Sequence, residues 1–297
     1  MFKRRHRVSV IPLHGAIHSN GLSFHRVKPL IDQAYARKPD LIVLEINSPG
    51  GSPVESQMIS QYLVYKTNTH GIPMAAYVTD IAASGGYWLA MTASPLIFVT
   101  PMSIVGSIGV VGAGFGYDRL MEKLGVDRRV HTVGVNKFVN DSFQPETPEG
   151  REKIKKIQTS IYDVFVQSVK EHRGDLLNLV DEEGEPLEPE ACSCGEVHDA
   201  NTPEDHEHAA LPMREDELFS GDVWTGREAI DVGLVDGMYT VMEPHLAHIF
   251  FNDVVPKITY SNYKQKWLSK VLNPVGVLMD RLESTISTRM LNSRFGI

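Results

Sequence analysis

The apolar positions between Val8 and Thr100 fall in short blocks, separated by amphipathic stretches and glycine-rich corners. "VSVIPLHGAI" from Val8 reads as a strand and "RVKPLIDQAYARK" from Arg26 as a helix. "LIVLEIN" from Leu41 is an apolar strand with no polar face, as expected in a sheet covered on both sides. It runs into "SPGGSPVESQMISQYLVYKT", a glycine-rich turn that opens a helix. "PMAAYVT" is a third strand, followed by another glycine-rich turn and the helix "GGYWLAMTA"; "LIFVT" is a fourth strand. This alternation predicts an α/β fold of repeated ββα units with parallel sheets.

Farther along, "PEGREKIKKIQTSIYDVFVQSVKEHR" predicts a long amphipathic helix with Ile154, Ile157, Ile161, Phe165 and Val169 on one face. "LFSGDVWTGREAIDVGLVDG" predicts a strand or turn, a short helix and a glycine-punctuated strand. From Lys264 the apolar residues 268, 271, 272, 275, 278, 279, 282 and 286, broken by Pro274, predict two helical pieces. These pieces pack on the body or on another subunit; the alternative is an interfacial helix on an anionic membrane. The expected organisation is a main domain over 1–250, interrupted by an acidic insert at 175–217, and a helical tail over 251–297.

No charged residue occurs from Ile81 to Tyr117, a run of 37 residues that a hydropathy scan could take for a membrane span. Pro95, Pro101 and the glycines at 106, 109, 112, 114 and 116 argue against it, because a broken backbone facing lipid is costly. Overall, 42% apolar and 22% charged residues in 297 describe a soluble globular chain with a sizeable core. The net charge of −8 is unevenly spread: 15 Asp/Glu and one Arg between Asp175 and Glu217 give −14, so the rest carries +6. That body is not basic enough to make nucleic acid the main partner. Cys192 and Cys194 are the only cysteines, which excludes a disulfide framework and favours a reducing compartment. "MFKRRHR" is followed by a run too short and too alternating for a signal peptide. The expectation is a cytoplasmic or membrane-peripheral location; the absence of acids before Asp32 leaves a mitochondrial one open.

Two corners can carry chemistry, "NSPGGS" at 47–52 and "ASGG" at 83–86, each after an apolar strand and before a helix. Free backbone N–H groups at such corners can hold a developing oxyanion. Ser84 is placed to attack, although a serine there is more often an ordinary helix N-cap. A nucleophilic serine also needs a base. His70, in a turn-like setting before a helix, and His131, at the start of a strand, have no distinctive partner motif. Lys137, in "VGVNKFVNDSFQPETPEGR", can act as a base if desolvated, yet a lysine in a polar loop is normally a solvated surface charge.

The ordered set "VSVIPLHGAI", "EINSPGGSPVES", "DIAASGGYWLAMTA", "VGSIGVVG", "GVNKFVNDSFQPETPEGREK" and "VWTGREAIDVGLVD" resembles the signal peptide peptidase A family of serine proteases, and most closely its SohB-like branch. The resemblance implies the ClpP/crotonase-like fold and a Ser–Lys dyad. It puts Ser84 in the nucleophile's place, Lys137 in the general base's and Ser107 in that of the serine orienting the lysine. Gly51 and Gly85 match the oxyanion-hole positions. Gly106 and, within "IGVVGAG", Ile108, Gly109 and Val110 are expected along the substrate groove, where an exposed strand edge binds an extended peptide. Phe138 departs from the family, where many members carry a polar residue after the lysine, and the Ser84–Ser107 interval is one residue longer. The family's N-terminal membrane span is missing, so membrane attachment is expected to be peripheral or absent.

The resemblance further implies a homo-oligomeric ring, typically an octamer, in which serine and lysine meet across a subunit boundary. The expected activity is cleavage of hydrophobic peptides, such as signal-peptide remnants or membrane-protein fragments, with no cofactor. A crotonase-type acyl-CoA enzyme and a catalytically idle scaffold ring are the rival readings. Cys192, Cys194, His198, His206 and His208 in the insert could ligate zinc, but their spacing matches no standard finger, and a disordered acidic loop is the simpler reading.

Overall fold

The structure is a computed structural model and describes residues 5–93, 95–134, 137–181 and 213–262. The chain divides into two compact units, one of residues 1–108 with 168–297 and one of residues 109–167.

The first unit is built by alternation of strand and helix. β1 (Arg7–His14) leads to α1 (Phe24–Ala36), β2 (Leu41–Ser48) to α2 (Pro53–His70), β3 (Met74–Ala83) to α3 (Gly85–Met91), and then to β4 (Ile97–Val99) and β5 (Ile104–Gly106). β1, β2, β3 and β4 pair in parallel in that order, as crossover helices require. Their runs are apolar on both faces because both faces are covered. β5 pairs with β3 beyond the end of β4, and so carries the sheet past Ser84.

The second unit holds α4 (Asp118–Lys123) and most of α5 (Pro148–Arg173), whose last turn belongs to the first unit. Phe165 and Val169 on α5 are buried as expected, but Ile157 is 58% exposed. A 3-10 turn at Gly174–Leu176 and β6 (Leu179–Val180) follow, and β6 pairs with β7 (Met213–Arg214) before α6 (Glu215–Leu218). Both ends of the acidic stretch are therefore folded, and the segment after it already forms a strand at Met213, ahead of Leu218. β8 (Val223–Thr225) runs antiparallel to β5, and α7 (Gly226–Asp231), β9 (Gly237–Met238) and α8 (Met242–Phe251) complete the frame. β10 (Lys257–Tyr260) adds a parallel edge strand to β1, so the sheet takes in residues 257–260 of the region the sequence assigned to the tail. The tail from Lys264 and the cysteines and histidines of the insert lie outside the described residues.

On one face of the sheet, Val10, Val43, Tyr77, Phe98 and Tyr239 pack beneath α8 through Leu246 and Phe251. Among the described residues, no helix is long and apolar enough to cross a membrane. The "VWTGREAIDVGLVD" segment is fixed by a buried ion pair: Arg173, 1% exposed, donates Nη1 to both Asp236 oxygens at 2.8 and 2.9 Å. Its Nε and Nη2 donate to the Gly233 carbonyl. Burial pushes the Asp236 carboxyl up, against the pull of Arg173 and the Ile97 N–H. Replacing Arg173 by methionine leaves that carboxylate buried without its cation. The expected loss is about 3–5 kcal/mol of stability, read from the urea midpoint.

Candidate active site

Ser84 stands at the corner between β3 and α3 with φ 53° and ψ −123°, a conformation that non-glycine residues rarely adopt. Its side chain makes no capping bond to α3. The fold contains its own controls: Ser52 accepts the Glu55 N–H and Thr225 the Glu228 N–H, each as an ordinary N-cap. Ser84 therefore occupies a cap position without the cap's bond, and its hydroxyl has no protein partner among the described residues. A backbone held in strain that leaves a serine hydroxyl unpaired at a strand-to-helix turn is the geometry of a nucleophile elbow.

Three contacts hold the corner. The Ser84 N–H donates to the Gly106 carbonyl at 2.7 Å, which ties it to the end of β5. Gly50 lies against it from the other corner: a Cβ there would stand 2.6 Å from the Ala83 oxygen, 2.7 Å from the Gly85 nitrogen and 2.8 Å from the Ser84 Cβ. Gly86 approaches the Ser48 carbonyl so closely that a Cβ would stand 2.3 Å from it. The two glycine-rich corners are thus packed backbone to backbone, which only glycine permits. The N–H groups of Gly51 and Gly85 have no acceptor among the described residues, so both are free to donate to an oxyanion. Gly51 itself is held by its neighbours, since the Ile17 N–H donates to the Gly50 carbonyl and the Ser52 N–H to that of Ile17.

Gly50→Ala should disturb this corner more than any change at the surface. Its φ of +89° alone costs an alanine about 1–3 kcal/mol, and its methyl displaces the Ser84–Gly85 backbone. A lower melting temperature, with the activity of the site lost beyond the fraction unfolded, is the expected outcome. Unchanged activity would show that the contact is incidental.

Ser107 is also held at positive φ, 51°, and is buried, 5% exposed. Its N–H donates to the Asp222 carbonyl at 2.6 Å, which locks it to the strand pair β5–β8. Trp224 presses on Gly106, where a Cβ would stand 2.8 Å from the indole. Ile108 is buried, while Gly109 and Val110 are partly exposed. Residues 107–117 form neither helix nor strand. Tyr87 and Trp88 belong to the core; the Tyr87 hydroxyl donates to the Leu234 carbonyl, and burial pushes it well up.

Ser84, Ser107, Gly51, Gly85, Gly106 and Ile108 all belong to the first unit; Gly109, Val110 and Lys137 belong to the second. Lys137 is exposed and opens a turn over residues 137–140, with its N–H donating to the Gly134 carbonyl at 3.1 Å. It lines a cavity with Arg128, Phe138, Asn140, Asp141, Ser142 and Phe143. His131 is exposed and not in a strand, and His70 is the last residue of α2 rather than part of a turn before a helix. Its ring nitrogen lies 2.9 Å from the Lys66 carbonyl. Among the described residues, no three His, Cys, Asp or Glu side chains form a metal-holding group. Sequence reasoning missed Gly50, whose role as the floor under Ser84 is visible only once the corners meet.

Residues 66–185, which include Ser84, Ser107 and Lys137, match the family model of peptidase family S49. The chain is 36% identical over 238 residues to the Na(+)/H(+) antiporter NhaA of Brucella melitensis, across 78% of this chain and 27% of that protein. It is 32% identical over 161 residues to the SohB protein of Buchnera aphidicola, named as a protease, across 52% of this chain and 46% of that one. A Synechocystis sp. protein named as a protease, slr0021, is 30% identical over 236 residues, across 80% of this chain and 71% of that protein. The chain thus spans about a quarter of the length of the Brucella relative and under half of the Buchnera one.

Proposed function

The chain belongs to peptidase family S49, and on that premise we propose that it is a serine endopeptidase in which Ser84 is the nucleophile and Lys137 its general base. The observation that carries this reading is the Ser84 corner: a strained backbone, a hydroxyl that makes no capping bond, and the Gly51 and Gly85 N–H groups, which have no acceptor among the described residues. Neutral Lys137 takes the Ser84 proton as Oγ attacks the peptide carbonyl. The carbonyl oxygen gains charge and is held by the Gly51 and Gly85 N–H groups. Lysine then protonates the leaving amine, and an acyl-enzyme remains. Water, deprotonated by the same lysine, releases the acid and regenerates Ser84. Ser107 orients the lysine. No step requires a metal.

Ser84 and Lys137 sit in different units, and the second unit exposes much apolar surface. Eleven of the 23 exposed large apolar side chains among the described residues lie within 109–167, Val111, Phe115, Leu124 and Val133 being the most exposed. Surface of that kind favours assembly. We therefore read the active form as a homo-oligomer in which one copy's lysine serves another's serine, acting on hydrophobic peptides at or near a membrane surface. The test mixes two inactive chains, Ser84→Ala and Lys137→Ala, and assays a hydrophobic fluorogenic peptide. Recovered hydrolysis in the mixture supports shared sites. Inactivity at every ratio, in oligomers shown to contain both chains, rejects them.

A further inference from the structure

The cavity that Lys137 lines contains one buried polar atom without a partner. The Asp141 side chain is 4% exposed. Its Oδ1 receives the Arg128 Nη2 at 3.1 Å and the Phe143 N–H at 3.1 Å. Its Oδ2 is buried with no hydrogen-bond partner among the described residues. A buried carboxylate oxygen in that condition costs about 1–3 kcal/mol or more, and a donor brought to it recovers that cost. Arg128 is already committed, since its guanidinium lies over the Phe143 ring at 4.7 Å while it pairs with Oδ1. Of the remaining donors on the cavity wall, Asn140, Ser142 and Lys137, only Lys137 is cationic; it lies four residues earlier, across the 137–140 turn.

We propose that Asp141 is the positioning residue of Lys137, its free Oδ2 taking a hydrogen bond from the lysine ammonium while Arg128 holds Oδ1. The pairing gives a long, exposed side chain one resting orientation. The catalytic consequence rests on the peptidase reading; the pairing itself is a property of this loop and is tested without activity. Arg128 and Asp141 are the charged groups that share the cavity with Lys137, and they act on it with opposite sign.

The experiment is competitive acetylation of the full chain by limiting acetic anhydride at mildly alkaline pH. The rate at Lys137 is read by peptide mass spectrometry against the other lysines. An amine engaged by Oδ2 is not free to attack the anhydride, so Asp141→Asn, which keeps the side-chain shape and the Phe143 cap, should accelerate Lys137 by about tenfold. Arg128→Gln should slow it, because the carboxylate then acts on the lysine undivided. Local unfolding would accelerate both variants, so opposite directions separate the pairing from a damaged loop. Equal rates in wild type and Asp141→Asn, or acceleration in both variants, would overturn the proposal. If the rates move as expected while hydrolysis proves independent of Lys137, the pairing stands and the dyad falls.

Discussion

Replacing Ser84 by alanine is expected to lower kcat/KM for a hydrophobic peptide by more than about 10⁴-fold, with little change in fold. In the proposed mechanism the Ser84 hydroxyl forms the acyl bond, so alanine removes the nucleophile with nothing to substitute for it. The structural cost is small because that hydroxyl makes no capping bond, and the N–H that ties the corner to Gly106 is kept. The melting temperature should therefore stay near that of wild type. The same substitution at Ser52, whose hydroxyl does cap α2, should give the reverse pattern: about 1 kcal/mol of stability lost and chemistry largely preserved. The contrast between two serines at two helix starts removes the objection that any serine near the site matters.

Lys137→Ala should reduce kcat by about 10²–10⁴-fold, the usual contribution of a general base. Lys137→Arg is the sharper variant. It keeps the charge and length, but a guanidinium does not give up its proton in a protein. If Lys137 acts as a base, arginine is no better than alanine. If it only supplies positive charge to the substrate or transition state, arginine restores much of the rate. The side chain is exposed, so Lys137→Arg should leave the denaturation midpoint near that of wild type, and Lys137→Ala should lower it by no more than the pairing with Asp141 contributes.

Much of this was legible because the relevant signals are periodic or compositional. "LIVLEIN" and "PMAAYVT" are readable as strands because nearly every position is apolar and buried, whereas the continuation of β3 through exposed Asp80 to Ala83 carries no such signal. The α5 helix ran where its apolar stripe put it, yet Ile157 on that stripe is exposed, since a period says which face is apolar and not what covers it. β10 was missed because "KITY" is short, and only its pairing with β1 makes it a strand. The short β5 escaped for the same reason, although it carries the carbonyl that pins Ser84. His70 read as a turn residue because of the following glycine, which is the left-handed C-cap that ends α2. At the site, the motifs located Ser84, Ser107 and the glycine corners. The positive φ at both serines and the packing of Gly50 beneath Ser84 came only from the folded backbone. Those features distinguish a nucleophile from an N-cap, and no spacing rule encodes them.

The most direct test of the central claim is covalent trapping of the nucleophile. The full chain is incubated with a fluorophosphonate, which phosphonylates an activated serine hydroxyl, and the adduct is located by peptide mass spectrometry. The account predicts a single adduct on Ser84, absent from Ser84→Ala and strongly slowed in Lys137→Arg. An adduct on another residue, or one on Ser84 that forms at the wild-type rate without Lys137, would contradict it.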